Sequence, residues 1–256
     1  MGKVFGFILT MFCTLNLFAS DFESGVEALE KGDYKKGMEL LSKTCSAGNN
    51  EGCYILGVLY GTGEGVKQDV LKAKEFYIKS CDGNVAKACY NLGLMYADAE
   101  GVKQDIPKSI DLFNKSCNSG YVQGCYNLGL MYTEGLGVKQ DNKKAKELYT
   151  KTCDGNVVEG CYNLAIMHFE GIGTKKDYSK AKELYSKACD GGIAMSCNNL
   201  GLMYFQGEHI AKNYSKAYEL FKIYPDKIVP MNRYGQNLQI LMLYLYHLNI
   251  QYFFLN

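Results

Sequence analysis

Ten of the eleven cysteines in this 256-residue chain fall on one fixed beat. They form the pairs Cys45/Cys53, Cys81/Cys89, Cys117/Cys125, Cys153/Cys161 and Cys189/Cys197; partners lie eight residues apart and successive pairs 36 apart. Spacing alone does not ordinarily fix disulfide connectivity. A unit that recurs five times must close the same way each time, however, and Cys45 and Cys53 are equidistant from a turn apex near Asn49. An antiparallel helical hairpin sets such residues side by side, so five bridges are expected, each within its own pair. Each would close a loop of about nine residues, worth roughly 2–3 kcal/mol as an upper figure in the chain-entropy model.

The rest of the unit keeps the same period. Asp33, Asp69, Asp105, Asp141, Asp177 and Asn213 each precede a helical run with a residue type that caps helix N-termini. Within the run after Asp141, Ala145, Leu148, Tyr149 and Thr152 share one face at 3–4 spacing. Small residues recur at Gly37, Ala73, Ser109, Ala145, Ala181 and Ala217, and large ones at Leu41, Tyr77, Phe113, Tyr149, Tyr185 and Phe221. The lysines of this helix read most simply as a solvated face, and we call it the lysine helix. A short turn, such as Asp154-Gly155-Asn156, leads to a second helix carrying the second cysteine, a small residue (Gly57, Gly93, Gly129, Ala165, Gly201) and an aromatic ring (Tyr60, Tyr96, Tyr132, His168, Tyr204). It is the asparagine helix, after Asn91, Asn127, Asn163 and Asn199. It ends in a glycine loop, clearest in Glu134-Gly135-Leu136-Gly137-Val138-Lys139-Gln140, where glycine fits the left-handed conformation that stops a helix. A tandem period of this length, in which each unit buries its apolar face against its neighbours, predicts an all-α protein: an α/α superhelical solenoid of disulfide-stapled helical hairpins.

The ends depart from the period. Lys3 followed by the apolar run Val4–Phe18, with small residues at Ala19 and Ser20, reads as a secretory signal over residues 1–20, too short for a membrane span. Cys13 leaves with it, and the mature chain meets an oxidising compartment, secreted or periplasmic, where cysteines pair. After the repeat array at 21–222 the beat calls for cysteine at 225 and 233; the chain has Pro225 and Arg233. Residues 223–256, ending Tyr252-Phe253-Phe254-Leu255-Asn256, form a non-repeat apolar tail that reads as a change of frame and is expected to pack poorly.

Charge excludes one class of partner. Acidic and basic residues nearly balance, at net charge +1, and Arg233 is the sole arginine. Nucleic-acid readers carry a basic face and use arginine for bidentate contacts, so nucleic acid is not an expected partner.

The Asn-Leu-Gly-x-Met-Tyr run, the Gly-x-Gly-Val loop, the following Asp, and then Lys-Ala and an aromatic residue resemble the Sel1-like repeat family, a relative of the tetratricopeptide repeats. The 36-residue unit with cysteines eight apart is similar, within that family, to the Helicobacter cysteine-rich proteins. The resemblance implies weak β-lactamase activity or penicillin binding, and in other Sel1-like proteins an adaptor role in protein assemblies.

The residues themselves announce no catalyst. Active-serine β-lactamases carry Ser-x-x-Lys, Ser-Asp-Asn and Lys-Thr-Gly elements. Only Ser179-Lys180-Ala181-Lys182 matches the first, in a slot held by Leu71, Pro107 and Lys143 in sister units, and Lys-Thr-Gly is missing. His168, His209 and His247 are too scattered for a metal site, and His168 stands in a tyrosine slot. The catalytic residues therefore stay unknown, and no cofactor or metal is expected. The row Asn91, Asn127, Asn163 and Asn199 supports two readings: amide groups presented to an extended peptide, glycan or protein partner, or buried amides bonded to the backbone of a neighbouring hairpin. Two functions follow, a β-lactam-binding protein or weak β-lactamase implied by the resemblance, and a non-catalytic binding scaffold acting through the asparagine-helix surface.

Overall fold

The computed structural model describes residues 21–207 and 209–223. The expected signal segment and the tail beyond residue 223 lie outside the described residues. Those described are all-α. Helix α1 covers residues 21–30. It is followed by α2 (Tyr34–Ser46), α3 (Asn50–Thr62), α4 (Val70–Asp82), α5 (Ala86–Asp98), α6 (Ile106–Asn118), α7 (Val122–Glu134), α8 (Asn142–Asp154), α9 (Val158–Glu170), α10 (Tyr178–Asp190), α11 (Ala194–Gln206) and α12 (Tyr214–Ile223). The even-numbered helices are lysine helices; α5, α7, α9 and α11 are the asparagine helices, and α3 holds the same place with Ile55 in the asparagine slot. The chain divides into two compact units: residues up to 131 with 135–139, and residues 132–134 with 140 onward.

Each lysine helix starts where the sequence predicts. The side chains of Asp33, Asp69, Asp105 and Asp177 accept the backbone N–H three residues on, at 2.9–3.1 Å; Asp141 accepts two such groups and Asn213 one. Donors left unpaired at a helix start are thereby satisfied. The same capping residues close the glycine loop from the other side. Their own N–H groups donate to the carbonyls of Tyr60, Tyr96, Tyr132, His168 and Tyr204, all at 2.8–2.9 Å. A glutamine just before the cap adds a second tie: Gln68, Gln104 and Gln140 donate to the carbonyls of Gly61, Ala97 and Thr133.

Across this glycine-loop joint the two columns of large and small residues interlock. A Cβ on Gly57 would lie 2.7 Å from the Tyr77 ring, one on Gly93 2.8 Å from Phe113, and one on Gly201 2.5 Å from Phe221. At these glycines the missing side chain lets the ring of the following lysine helix close up against the asparagine helix, and Tyr77, Phe113 and Phe221 are all buried there.

The opposite joint, from a lysine helix through a short turn to the next asparagine helix, is built differently. Cys45–Cys53, Cys81–Cys89, Cys117–Cys125, Cys153–Cys161 and Cys189–Cys197 are disulfides, with Cα atoms 4.5–4.7 Å apart and all ten cysteines buried. The serine just before the first cysteine faces the other way: Ser80 of α4 donates to the Asn50 carbonyl of α3 and Ser116 of α6 to the Ala86 carbonyl of α5, both at 2.8 Å, so these bonds tie the glycine-loop joint. Helix α3 packs more extensively on α4 than on α2, and α5 more on α6 than on α4. The more intimate hairpin therefore runs from asparagine helix to lysine helix, and each disulfide staples one such hairpin to the next.

Candidate functional site

Each asparagine of the row sits mid-helix and half-buried, and tyrosines of the preceding repeat meet Asn91, Asn127 and Asn199. Asn91 faces the hydroxyls of both Tyr54 and Tyr77, close enough to favour their ionised form. Asn127 faces Tyr90 in the same way, and Asn199 faces both Tyr162 and Tyr185. Burial pushes these hydroxyls above the ordinary phenol range, most strongly at Tyr185, while the asparagine amide opposes the rise by favouring the phenolate. The row is therefore a set of tyrosine–asparagine clusters at fixed positions. The groups that meet these three asparagines are tyrosine side chains of the preceding repeat. Sequence reasoning passed over Tyr54, Tyr90 and Tyr162 although they recur directly after the second cysteine; the repeated Cys-Tyr-Asn-Leu run was the available signal.

In the unit up to residue 131 this face is rich in half-exposed rings. Tyr90 meets Tyr121 edge-on with centroids 5.2 Å apart and Phe113 at 5.7 Å, and Tyr54 lies 6.2 Å from Tyr77. Beside them opens a cleft of about 200 Å³ lined by Gly61 of α3, Val70, Ala73 and Tyr77 of α4, Asn91, Leu94 and Met95 of α5, and Glu100 in the following loop.

The lysine face is not only solvated. Lys72, Lys108, Lys144 and Lys216 lie over the rings of Tyr60, Tyr96, Tyr132 and Tyr204, 4.3–5.1 Å from the centroids, and two of them also donate to the hydroxyl, Lys108 to Tyr96 at 2.8 Å and Lys144 to Tyr132 at 2.6 Å. His168 occupies this tyrosine slot in α9. Lys180, in the place of the partner lysine, pairs instead with Glu183 at 2.9 Å. The Nδ1 of His168 is buried with no hydrogen-bond partner. Burial holds its pKa below 6.5, with Lys146 and Lys180 adding to the drop against the attraction of Asp177.

Ser179 is exposed in the first turn of α10, as its slot predicts. Among the described residues no three His, Cys, Asp or Glu side chains gather as metal ligands, and no helix is long and apolar enough to cross a membrane.

Fold and repeat define the class: an α/α protein of tandem helical hairpins. The Sel1 repeat model matches residues 22–49, 50–85, 86–121, 122–157, 158–193 and 194–223; the chain belongs to the Sel1 repeat family. Every disulfide spans one of the five boundaries between these repeats. Among curated proteins none matches. Among solved structures it is similar to c5321, a protective antigen of uropathogenic Escherichia coli with an SLR fold, at 24% identity and TM-score 0.79, over 84% of this chain and 47% of that one. A Sel1 repeat protein from Oxalobacter formigenes is 22% identical with TM-score 0.75, over 78% and 83% of the two chains. Helicobacter pylori cysteine rich protein B is 31% identical over 53% of this chain and 97% of its own, with TM-score 0.43. This chain thus spans about half the length of the Escherichia coli antigen.

Proposed function

We propose that this protein is a binding scaffold outside the cytoplasm, secreted or periplasmic, which holds an extended peptide or protein segment on its tyrosine–asparagine face. The carrying observation is that half-buried amides meet phenols of the preceding repeat, Tyr54 and Tyr90 half-buried and Tyr77 and Tyr185 buried, at equivalent positions along the array. Tyrosine supplies large contact area with little conformational entropy to lose, which is why it concentrates at binding surfaces. A side-chain amide has two donor hydrogens and two acceptor lone pairs, so one that meets one or two phenols keeps capacity for a ligand backbone. The five disulfides fit an oxidising compartment. β-Lactam binding rests on family resemblance, and the exposed Ser179 adds no support.

The test is a peptide ligand selected from a display library against the oxidised full chain, followed by calorimetry. Asn91→Ala with Asn127→Ala is expected to weaken it by roughly 1–3 kcal/mol, the sum of two lost hydrogen bonds at about 0.5–1.5 each, with the fold retained by circular dichroism. Ser179→Ala is expected to leave binding unchanged. Undiminished affinity in the double variant, or penicillin turnover that disappears in Ser179→Ala, overturns the reading.

A further inference from the structure

The slot that opens the cleft changes in size along the repeat. Position 61 is glycine, and the equivalent positions are Ala97, Thr133, Phe169 and Phe205. In the second unit the same framework recurs as Ala181, Tyr185, Asn199, Leu202 and Met203, matching Ala73, Tyr77, Asn91, Leu94 and Met95. There the space is taken by the protein's own rings: Phe169 packs on Tyr178 at 5.4 Å and on Tyr185 at 6.4 Å, and Tyr178 replaces Val70. Thr133 closes its copy with a hydroxyl contact of 3.1 Å to Tyr149. The copy around Ala97 has Phe113 and Leu136 in place of Tyr77 and Glu100, so it lacks both the phenol and the carboxylate. Gly61 thus leaves open a space that α9 fills.

The chemistry of the opening is mixed. Val70, Ala73, Leu94 and Met95 give apolar walls, the buried Tyr77 and half-buried Asn91 a polar floor, and Glu100 an exposed carboxylate at the mouth. Among the described residues Glu100 forms no ion pair. The loop that carries it is unusual too. Its C-cap is Ala99 at φ 60°, left-handed, where the other loops have Gly63, Gly135, Gly171 and Gly207, a conformation that costs a residue with a Cβ free energy. Asp98 stands one residue before it, so two carboxylates flank the strained position. At about 200 Å³ the cleft falls below the roughly 300–1,000 Å³ that encloses a drug-sized ligand. It is the size of a side chain.

We propose that this cleft seats one lysine or arginine side chain from an extended segment of a partner protein. The methylene stem lies along Val70, Ala73, Leu94 and Met95, as long cationic side chains pack their stems on apolar surface. The cationic head meets the Glu100 carboxylate and the oxygen acceptors of Tyr77 and Asn91. The proposal rests on the scaffold reading above and names what one part of that face selects.

The experiment uses the oxidised full chain and four blocked peptides, acetyl-Gly-Gly-Ala-Xaa-Ala-Gly-Gly-amide, with Xaa as lysine, arginine, norleucine or glutamate. Backbone amide shifts of Gly61, Ala73 and Leu94 are followed by NMR titration into the millimolar range. The lysine and arginine peptides are expected to shift these amides, with norleucine binding about tenfold weaker and glutamate not at all, the scale of one charge-assisted contact. Glu100→Gln is expected to remove the preference for lysine over norleucine; as a surface change it leaves the fold intact. Gly61→Phe, which installs the side chain that α9 carries at this slot, is expected to abolish the shifts. Equal binding of lysine and norleucine, titration undisturbed by Gly61→Phe, or no shift from any peptide overturns the proposal. A library-selected ligand that is weakened by the double asparagine variant yet indifferent to Gly61→Phe leaves the scaffold reading standing and removes this one.

Discussion

The two joints of the repeat solve the same problem by opposite means. At the glycine-loop joint, α3 to α4 or α5 to α6, a ring lies in a gap left by glycine, a capping residue bonds both ways, and no covalent link is present. At the cystine joint, α2 to α3 or α4 to α5, the helices pack less extensively and a buried disulfide makes the connection. Packing density and covalent closure thus alternate along the chain. Each appears where the other is weaker, which is the pattern expected if a small two-helix interface needs roughly the same total restraint at every step.

That contrast can be broken most severely on the packed side. Phe113→Ala empties the gap against Gly93, and complete loss of a buried ring costs about 3–5 kcal/mol; urea unfolding of the oxidised chain should show a large fall in midpoint. Replacing Cys117 and Cys125 together by alanine should cost less, about 2–3 kcal/mol at most, because a loop this short constrains the unfolded chain only modestly. If the cystine change proves the more damaging of the two, the proposed division between the joints is wrong. The smallest effect sharpens the comparison within one joint. His168 replaces the tyrosine that meets a lysine in sister copies, and its pKa is held below 6.5 by burial and two lysines. A depressed histidine leaves the unfolded chain to take up the proton first, so its contribution is intact above 6.5 and is lost as pH falls through the folded value. His168→Tyr should flatten the decline in melting temperature between pH 7 and 5; an unchanged slope in the variant excludes His168 as its source.

Much of the fold was legible because the period repeats every constraint. The capping column Asp33 to Asn213, the buried rings and the paired cysteines each occur five or six times, so chance agreement is averaged away and local chemistry agrees with tertiary packing. Periodicity hides phase, however. A beat of 36 residues shows which positions are equivalent but not which neighbouring helix each one packs on, so the hairpin that holds a disulfide and the hairpin that packs most closely could not be told apart. The site was less legible for a related reason. The asparagines stood out because they recur, whereas the cleft exists through a departure from recurrence: glycine at 61 where later copies carry Ala97, Thr133, Phe169 and Phe205. A size gradient down one column is visible in the sequence. That it leaves an opening beside Tyr77 and Asn91 follows only from which side chains meet there.

The placement of the cystines also governs what a protease can accomplish. Each disulfide encloses the turn between a lysine helix and the next asparagine helix, so a cut at Gly48, Asn84 or Gly120 falls inside a closed ring and leaves both sides joined through sulfur. A cut in an exposed glycine loop, at Glu64 or Leu136, lies outside every ring. Five of the eleven connections between the described helices are therefore nick-tolerant, and how far a protease shortens the array is set by how well the glycine loops, tied down by Gln68, Gln104 and Gln140, resist being drawn into its cleft.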